Sequence, residues 1–300
     1  MNWYTKAEDV LPNKDLSHHI IIITGSNTGI GLETARVCMK QHATVVFACR
    51  DVDKARQAIY LFPDSYKSDV IHLDLASLAS VRTFCEKFCE KYPRLDVLIN
   101  NAGVMATPYS LTSDGFELQM GVNYLGHFLL TNLLLPHLNQ APAARVVSVS
   151  SMGHKLNMLN IDDLNSEKYA TSRLYSWYYK WVQYGNSKLA QIMFTKELDR
   201  RLKEKSSNVT CFSLHPGCIL TDLFQYVSIV YWLMYLFSFM SKSVEQGAAT
   251  SVFCALYPNL EQHSGCYFKD CRTLSPTLPL QHKEKGRLLW ERSEEMVKEK

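Results

Sequence analysis

The sequence predicts an α/β protein: a doubly wound, mostly parallel sheet with helices on both faces, folded as a single domain. Segments typical of buried strands alternate with amphipathic helical segments, a pattern that gives a parallel sheet with right-handed crossovers. Polar residues follow the predicted strands at their carboxyl ends, where ligands of such sheets bind. The 300 residues are 47% hydrophobic and 20% charged, which is enough apolar material for one large core.

The stretch from His19 to Gly31 opens the sheet. Its four consecutive isoleucines, 20–23, suit a strand buried on both faces, because β-branched side chains pack well on a pleated surface. A turn with Gly25, Gly29 and Gly31 then leads into a helix, whose N-terminal N–H groups and dipole favour a phosphate. The spacing Gly-x-x-x-Gly-x-Gly differs from the general dinucleotide fingerprint, so an ordinary strand–helix turn is the alternative.

The remaining elements follow in order. We expect further strands at 43–49, 70–73, 95–99, 145–150, 209–214 and around 266–268. We expect helices at about 52–61, after the cap Ser77, at 115–138, 184–203 and 244–256, and in the charged tail. The predicted domain spans 18–300 after a lead-in at 1–17, with inserts at 152–183 (polar, then aromatic) and 223–241.

Bulk composition excludes several classes. A net charge of +3 is too small for a nucleic-acid-binding surface. The nine cysteines are scattered, and Cys85 and Cys89 lack a second pair at metal-ligand spacing, so we expect buried thiols and no metal. Residues 1–17 carry charges and no apolar run, which argues against a signal peptide. We therefore expect a cytoplasmic protein.

Tyr184 and Lys188 lie four residues apart and therefore on one face of the predicted helix. A phenol with a pKa of about 10 is a poor base, but a nearby ammonium stabilises the phenolate. Tyr184 can then exchange a proton with an alcohol or carbonyl oxygen, and Ser151, after the fifth strand, can hold the same oxygen. The alternative for the pair alone is a solvated helix face.

Taken together, the motifs resemble the short-chain dehydrogenase/reductase family, in the family's order. They are Thr24-Gly25-x-x-x-Gly29-x-Gly31, Asp74, Asn100-Asn101-Ala102-Gly103, Asn123, Ser150-Ser151, Tyr184-x-x-x-Lys188 and Pro216-Gly217. The run 123–128 and His215-Pro216-Gly217 resemble its retinol dehydrogenase branch, and 246–268 is also similar to the oxidoreductase domain of the WW-domain-containing oxidoreductase. The fold implied is Rossmann-like.

The resemblance implies residue roles. Tyr184 is the acid/base, Lys188 lowers its pKa, Ser151 orients the substrate oxygen, and Asn123 supports a proton-relay water near Lys188; a helix kink or a buried amide is the alternative for Asn123. The implied cofactor-binding residues are Gly25, Ser26, Asn27, Gly29, Ile30, Gly31, Arg50, Asp74, Leu75, Asn101, Ala102, Gly103, Tyr184, Lys188, Pro216, Gly217 and Thr221. The 33 residues from Ser151 to Tyr184 exceed the family's usual spacing, which affects the pocket's shape.

The choice of nucleotide depends on Arg50 and Asp51. An acidic residue here binds a ribose 2′-hydroxyl, whereas an arginine fork suits a 2′-phosphate. Arg50 is nearest the strand end, so we expect NADP, with NAD as the alternative. In the other interpretation, Arg50 is solvated and Asp51 caps the next helix.

Residues 223–241 contain no charge. We favour a lid over an apolar substrate that also contacts a membrane surface, such as that of the endoplasmic reticulum. A buried core or dimer helix is the next interpretation, which leaves a homo-oligomer open, and a membrane span is the least favoured.

The sequence thus predicts an NADP-dependent oxidoreductase that transfers a hydride to or from a carbonyl or alcohol of a lipophilic molecule. "Retinoid or steroid" comes from the resemblance alone. A nucleotide-binding interaction or regulatory protein with little catalytic activity is the main alternative, and a nucleotide-sugar epimerase is less favoured.

Overall fold

In a computed structural model that describes residues 1–167, 176–219, 241–274 and 282–298, eight strands form one sheet in the order β3-β2-β1-β4-β5-β6-β7-β8. Every neighbouring pair is parallel except the antiparallel β7–β8. The strands are β1 Ile20–Thr24, β2 Thr44–Cys49, β3 Ser68–His72, β4 Val97–Asn100, β5 Arg145–Val149, β6 Thr210–His215, β7 Tyr267–Lys269 and β8 Arg272–Leu274.

Helices cover both faces of this sheet. They are α1 Gly29–Lys40, α2 Val52–Tyr60, α3 Leu78–Lys91, the short α4 Leu118–Met120, α5 Gly126–Leu138, α6 Ser176–Glu204, α7 Val244–Leu256 and α8 His282–Lys298. The predicted cap is confirmed, because the Ser77 hydroxyl accepts the Ser80 N–H at the start of α3. The fold class predicted from the sequence is therefore correct.

The core has two layers, one on each face of the sheet. One layer packs α3, α5, α6 and α8 against the sheet, with Trp290 of α8 stacked on Phe194 of α6 at 5.5 Å between ring centroids. The other layer packs α1 and α7 against the opposite face, and it also takes in Ala7, Val10 and Leu16. The lead-in is thus part of the core, and it contains a 3₁₀ turn at Ala7–Val10.

Three elements differ from the sequence-based boundaries. Helix α6 includes Ser176–Gln183, ahead of its predicted start, and there it buries Tyr179 and Val182, so packing overrides the modest helix propensity of this aromatic run. The predicted helix at 115–138 begins at Leu118 and contains a π-helical turn, Gly121–Leu125. Strand β8 was not expected. Its two-residue turn places Asp270 and Cys271 at φ of 51° and 57°, where asparagine or glycine is the usual signal.

The strand order reverses between β1 and β4, and this switch point opens a crevice at the carboxyl ends of the strands. Among the helices in the described ranges, none is long and apolar enough to cross a membrane. Thr221 and, apart from Ser241, the predicted lid 223–241 lie outside those ranges, as do residues 168–175 of the aromatic insert.

Candidate active site

The glycine turn between β1 and α1 has the conformation that its spacing predicts. Gly25 has φ +63° and Gly29 has φ +55°, a region that glycine enters without strain. A Cβ on Gly31 would lie 2.5 Å from the Gly25 carbonyl oxygen and 2.6 Å from Asn101 Nδ2. The backbone therefore closes tightly here, with the N-terminus of α1 directed to the crevice, as an anion site needs.

Thr24 and Asn101 hold this turn against the end of β4. The Thr24 hydroxyl oxygen accepts the N–H groups of Asn101 and Ala102, both at 2.9 Å. In return, Asn101 Nδ2 donates to the Thr24 carbonyl oxygen at 2.8 Å. The predicted residues Asn101 and Ala102 thus lie beside the glycine turn, whereas Gly103 lies beside Asn123 and Lys188.

His127 of α5 connects the glycine turn to the π-helical turn. Its Nε2 lies 2.9 Å from the Thr24 hydroxyl, and its Nδ1 lies 3.0 Å from the Asn123 carbonyl oxygen. Burial lowers the pKa of His127 to about 4, so the ring is neutral at pH 7. Because the Asn123 carbonyl can only accept, Nδ1 carries the proton and Nε2 accepts from Thr24.

The structure brings the predicted catalytic residues Ser151, Tyr184 and Lys188 together. Ser151 follows β5 and caps a 3₁₀ turn, Met152–Lys155, through a hydroxyl that accepts the Gly153 N–H at 3.1 Å. The Tyr184 ring lies beside it, because a Cβ on Gly153 would lie 2.9 Å from the Tyr184 ring and 3.4 Å from Ser151 Oγ. One helical turn along α6, Lys188 Nζ lies 5.7 Å from the centroid of the Tyr184 ring. A hydroxyl, a phenol and an amine therefore meet where β5 ends.

Ser150 has a different role from its neighbour. Its hydroxyl donates to the Lys188 carbonyl oxygen at 2.7 Å, which joins the end of β5 to the backbone of α6. Ser150 is buried, whereas Ser151 is partly exposed toward the crevice. The geometry thus favours Ser151 as the serine that reaches a substrate.

Asn123 lies in the π-helical turn with its side chain fully buried. Its Oδ1 accepts the Val104 N–H at 2.8 Å, and its Nδ2 donates to the Val104 carbonyl and the Ser187 hydroxyl, both at 2.9 Å. Its carbonyl oxygen also accepts from Gln191 Nε2 at 2.8 Å. Asn123 thus joins the segment after β4 to α6, and its role in a proton relay stays a prediction.

Burial sets the protonation states of Tyr184 and Lys188. It raises the pKa of Tyr184 to about 12, and the nearby Ser151 hydroxyl opposes this rise in pKa. Burial also lowers the pKa of Lys188 to about 7. At neutral pH, Tyr184 is therefore a phenol that can donate a proton, beside a lysine close to its titration midpoint.

The ends of β2 and β3 carry the predicted nucleotide-selecting residues. Arg50 is exposed and has no partner among the residues that the structure describes. Asp51 caps α2 by accepting the Lys54 N–H at 2.9 Å. The Asp74 carboxylate accepts the Ala76 N–H at 2.9 Å, and Leu75 packs against Gly126. These contacts match the alternative interpretation, in which Arg50 is solvated and Asp51 caps the next helix, and they also leave the Arg50 guanidinium accessible to a ligand.

Pro216 and Gly217 follow β6, as predicted. Gly217 has φ +109°, and a Cβ there would meet the buried Lys242 side chain at 2.6 Å. Lys242 in turn forms an ion pair with Asp270 at 2.5 Å. Within the described ranges no group of three or more His, Cys, Asp or Glu side chains could hold a metal ion.

Known proteins with related sequences decide the family. The sequence profile described as short chain dehydrogenase matches residues 19–176, more than half of the chain. The chain belongs to the short-chain dehydrogenase family. It is an oxidoreductase by this membership, and members of the family bind NAD or NADP.

Retinol dehydrogenase 11 of Mus musculus is 43% identical over 282 residues, which cover 93% of this chain and 86% of that protein. Retinol dehydrogenase 14 of Homo sapiens is 43% identical over 297 residues, covering 92% and 85%. This short-chain dehydrogenase thus lies in the retinol dehydrogenase-like branch.

Solved structures agree with the fold of this short-chain dehydrogenase. A crystal structure from Mycobacterium paratuberculosis superimposes with a TM-score of 0.75 at 34% identity, covering 96% of this chain and 97% of that one. An NADP complex of RhlG from Pseudomonas aeruginosa gives a TM-score of 0.67 at 21% identity and covers 86% and 96%. At that lower identity the likeness shows the fold alone.

Sequence reasoning missed two buried residues that shape the site, His127 and Gln191. Both follow a predicted catalytic residue at helical spacing: His127 is four residues after Asn123, and Gln191 is three after Lys188. That spacing places each on the same helix face as its predecessor. A search for polar residues at these offsets would have found them.

Proposed function

We propose that this chain is an NADP-dependent oxidoreductase that interconverts a carbonyl and an alcohol on a lipophilic molecule. The observation that carries the proposal is the meeting of the Ser151 hydroxyl, the Tyr184 phenol and the Lys188 amine at the end of β5. These groups can hold a substrate oxygen, exchange its proton and stabilise the resulting phenolate.

The residues of the crevice fit a dinucleotide. The glycine turn and the start of α1 suit the pyrophosphate, and the unpartnered Arg50 suits a 2′-phosphate. A Cβ on Gly103 would lie 3.4 Å from Lys188 Nζ, so a side chain there would crowd the amine. Lys188 has a donor left for a ribose hydroxyl. When bound, the nicotinamide ring supplies or accepts the hydride.

In the direction of reduction, Tyr184 donates its phenolic proton to the substrate oxygen as the carbonyl carbon gains the hydride. Ser151 hydrogen-bonds the same oxygen and stabilises the negative charge that develops on it. The Lys188 ammonium stabilises the Tyr184 phenolate that remains, and a proton from solvent restores the phenol. In the direction of oxidation, the phenolate takes the alcohol proton.

The wall of the site supports an apolar substrate. Met105, Ala106 and Trp181 form a hydrophobic cluster with Tyr184. Met152, the residue after Ser151, and Leu156, at the end of the 3₁₀ turn that Ser151 caps, expose 42% and 43% of their surface. Apolar walls with a few polar groups are typical of sites for lipophilic ligands. Together with the names of the retinol dehydrogenase relatives, these walls support a retinoid- or steroid-like aldehyde, ketone or alcohol as substrate.

The test uses the purified chain, NADPH or NADH, and a panel of lipophilic aldehydes and ketones that includes retinal. We expect faster turnover with NADPH, and a 10²- to 10⁴-fold loss of kcat in Tyr184→Phe, the range that general acid–base catalysis contributes. Tyr178→Phe is the matched control, since Tyr178 is an exposed tyrosine on the same helix. Binding of NADPH without oxidation on any carbonyl would favour the alternative of a nucleotide-binding regulatory protein.

A further inference from the structure

Lys188 Nζ has two acceptors in the protein. It donates to the Val149 carbonyl oxygen at 2.9 Å and to Gln191 Oε1 at 3.1 Å. An ammonium has three N–H groups, and the third has no acceptor in the described part of the chain. With the lysine 4% exposed, these two oxygens replace its hydration.

The neighbours of Gln191 fix the orientation of its amide. Its Nε2 donates to the Asn123 carbonyl oxygen at 2.8 Å, and this oxygen can only accept. The Gln191 oxygen must therefore face Lys188, which can only donate. Gln191 is 2% exposed and lies between Lys188 Nζ and the Asn123 carbonyl, near the place where the family resemblance implies a relay water.

We propose that Gln191 is a positioning residue for hydride transfer: its carboxamide holds the Lys188 side chain beside Tyr184 and keeps it charged. The inference rests on the proposed function, in which a charged Lys188 stabilises the Tyr184 phenolate. Because the Val149 acceptor is a backbone carbonyl, Gln191 is the acceptor side chain that sets the position and the charge of Lys188.

The charge of Lys188 depends on the neutral acceptor Gln191, because few other charged groups surround the lysine. The titratable groups that face the lysine are Tyr184 on its own helix and the neutral His127 on α5. No carboxylate pairs with it among the described ion pairs. Since burial brings the pKa of Lys188 down to about 7, a change in one acceptor shifts its charge at physiological pH.

The test follows the titration of Lys188 by NMR in protein labelled with ¹³C at the lysine ε-carbons, without substrate or cofactor. The Lys188 signal is the one missing from Lys188→Arg. We expect a midpoint near 7 in the native chain, about one unit lower in Gln191→Leu and higher in Gln191→Glu, since a hydrogen bond to a charged group supports a shift of about this size. Gln183→Leu removes another fully buried glutamine of α6, bonded to Ser166 and Asn186, and should leave the midpoint unchanged.

Opposite shifts in the two Gln191 variants support the proposal, because a purely structural role moves both midpoints the same way. Equal midpoints in the native chain and both Gln191 variants, or an equal shift in Gln183→Leu, would overturn it. If Gln191→Leu does not fold by circular dichroism, the comparison of Gln191→Glu with the native chain decides. The titration needs no turnover, so its result is separate from the success of the proposed reaction.

Discussion

The two sides of the crevice are built differently. On the cofactor side, at the ends of β1 and β4, backbone conformation defines the site, and Thr24 and Asn101 fix the glycine turn through backbone groups. On the substrate side, at the end of β5, side chains from distant segments define it: Ser151 meets Tyr184, and Gln191 of α6 bonds Asn123, 68 residues away. The glycine turn itself is a local motif, although Asn101 holds it from 77 residues away, whereas no local motif brings Ser151 to Tyr184.

The largest expected effect separates two adjacent serines on the substrate side. Ser151→Ala should lower kcat by ~10²- to 10³-fold, the usual cost of one donor to a developing oxyanion, and loss of its cap to the Gly153 N–H should lower stability by about 1 kcal/mol. Ser150→Ala loses the bond to the Lys188 carbonyl and should lower the melting temperature with a smaller effect on kcat. Steady-state kinetics and thermal unfolding of both variants check this, and the reverse pattern would assign the substrate contact to Ser150.

On the cofactor side, Gly31→Ala should weaken NADPH binding by ~100-fold, because its Cβ would lie 2.5 Å from the Gly25 carbonyl oxygen and force the turn apart. Fluorescence titration with NADPH measures the affinity. The control is Gly286→Ala in α8, where the nearest atom is 3.8 Å away and alanine should stabilise the helix by ~0.5–1 kcal/mol. Unchanged NADPH affinity in Gly31→Ala would contradict the tight turn.

His127, which connects the glycine turn to the π-helical turn, should make the stability of the protein depend on pH. His127 has a folded pKa of about 4, below its ordinary 6.5, so the unfolded chain binds more protons between these values. Stability contributed by His127 is therefore complete above pH 6.5 and is lost as the pH falls toward 4. Between pH 7 and 4.5 the native chain should lose about 2 kcal/mol more than His127→Gln in urea unfolding. Equal losses in the native chain and in His127→Gln would contradict the role of His127.

The smallest expected effect concerns nucleotide choice. Arg50→Ala should reduce the preference for NADPH over NADH by ~10-fold, because one charge-assisted contact to the 2′-phosphate is lost. Its folding stability should not change, since Arg50 is exposed and has no described partner. Arg56→Ala, at an exposed arginine of α2, is the control. A chain that prefers NADH both before and after the change would refute the assignment of Arg50.

The difference between local features and contacts across the fold also decides how much of the crevice the sequence predicts. The isoleucine strand, the glycine turn and the Ser77 cap are local features, and the structure has all three where the sequence places them. The spacing of Tyr184 and Lys188 predicts that they share one face of a helix, and both lie on α6 in the structure. A short stretch of sequence is sufficient to predict an element when the contacts that define it are made within that stretch.

The remaining features arise from contacts that no short window contains. Helical periodicity does not reveal the π-helical turn at Gly121–Leu125, which presents the Asn123 carbonyl to Gln191. The β7–β8 turn uses Asp270 and Cys271 instead of the usual residues for positive φ. The early start of α6 depends on burial of Tyr179 and Val182, which the fold supplies.

The most direct test is a crystal structure of the chain with NADP⁺ and a lipophilic alcohol that it turns over. We expect the alcohol oxygen within ~2.6–3.2 Å of both the Tyr184 phenol and the Ser151 hydroxyl, with Lys188 against the nicotinamide ribose. An alcohol oxygen bound away from both hydroxyls, or a dinucleotide outside the β1–β4 crevice, would contradict the account.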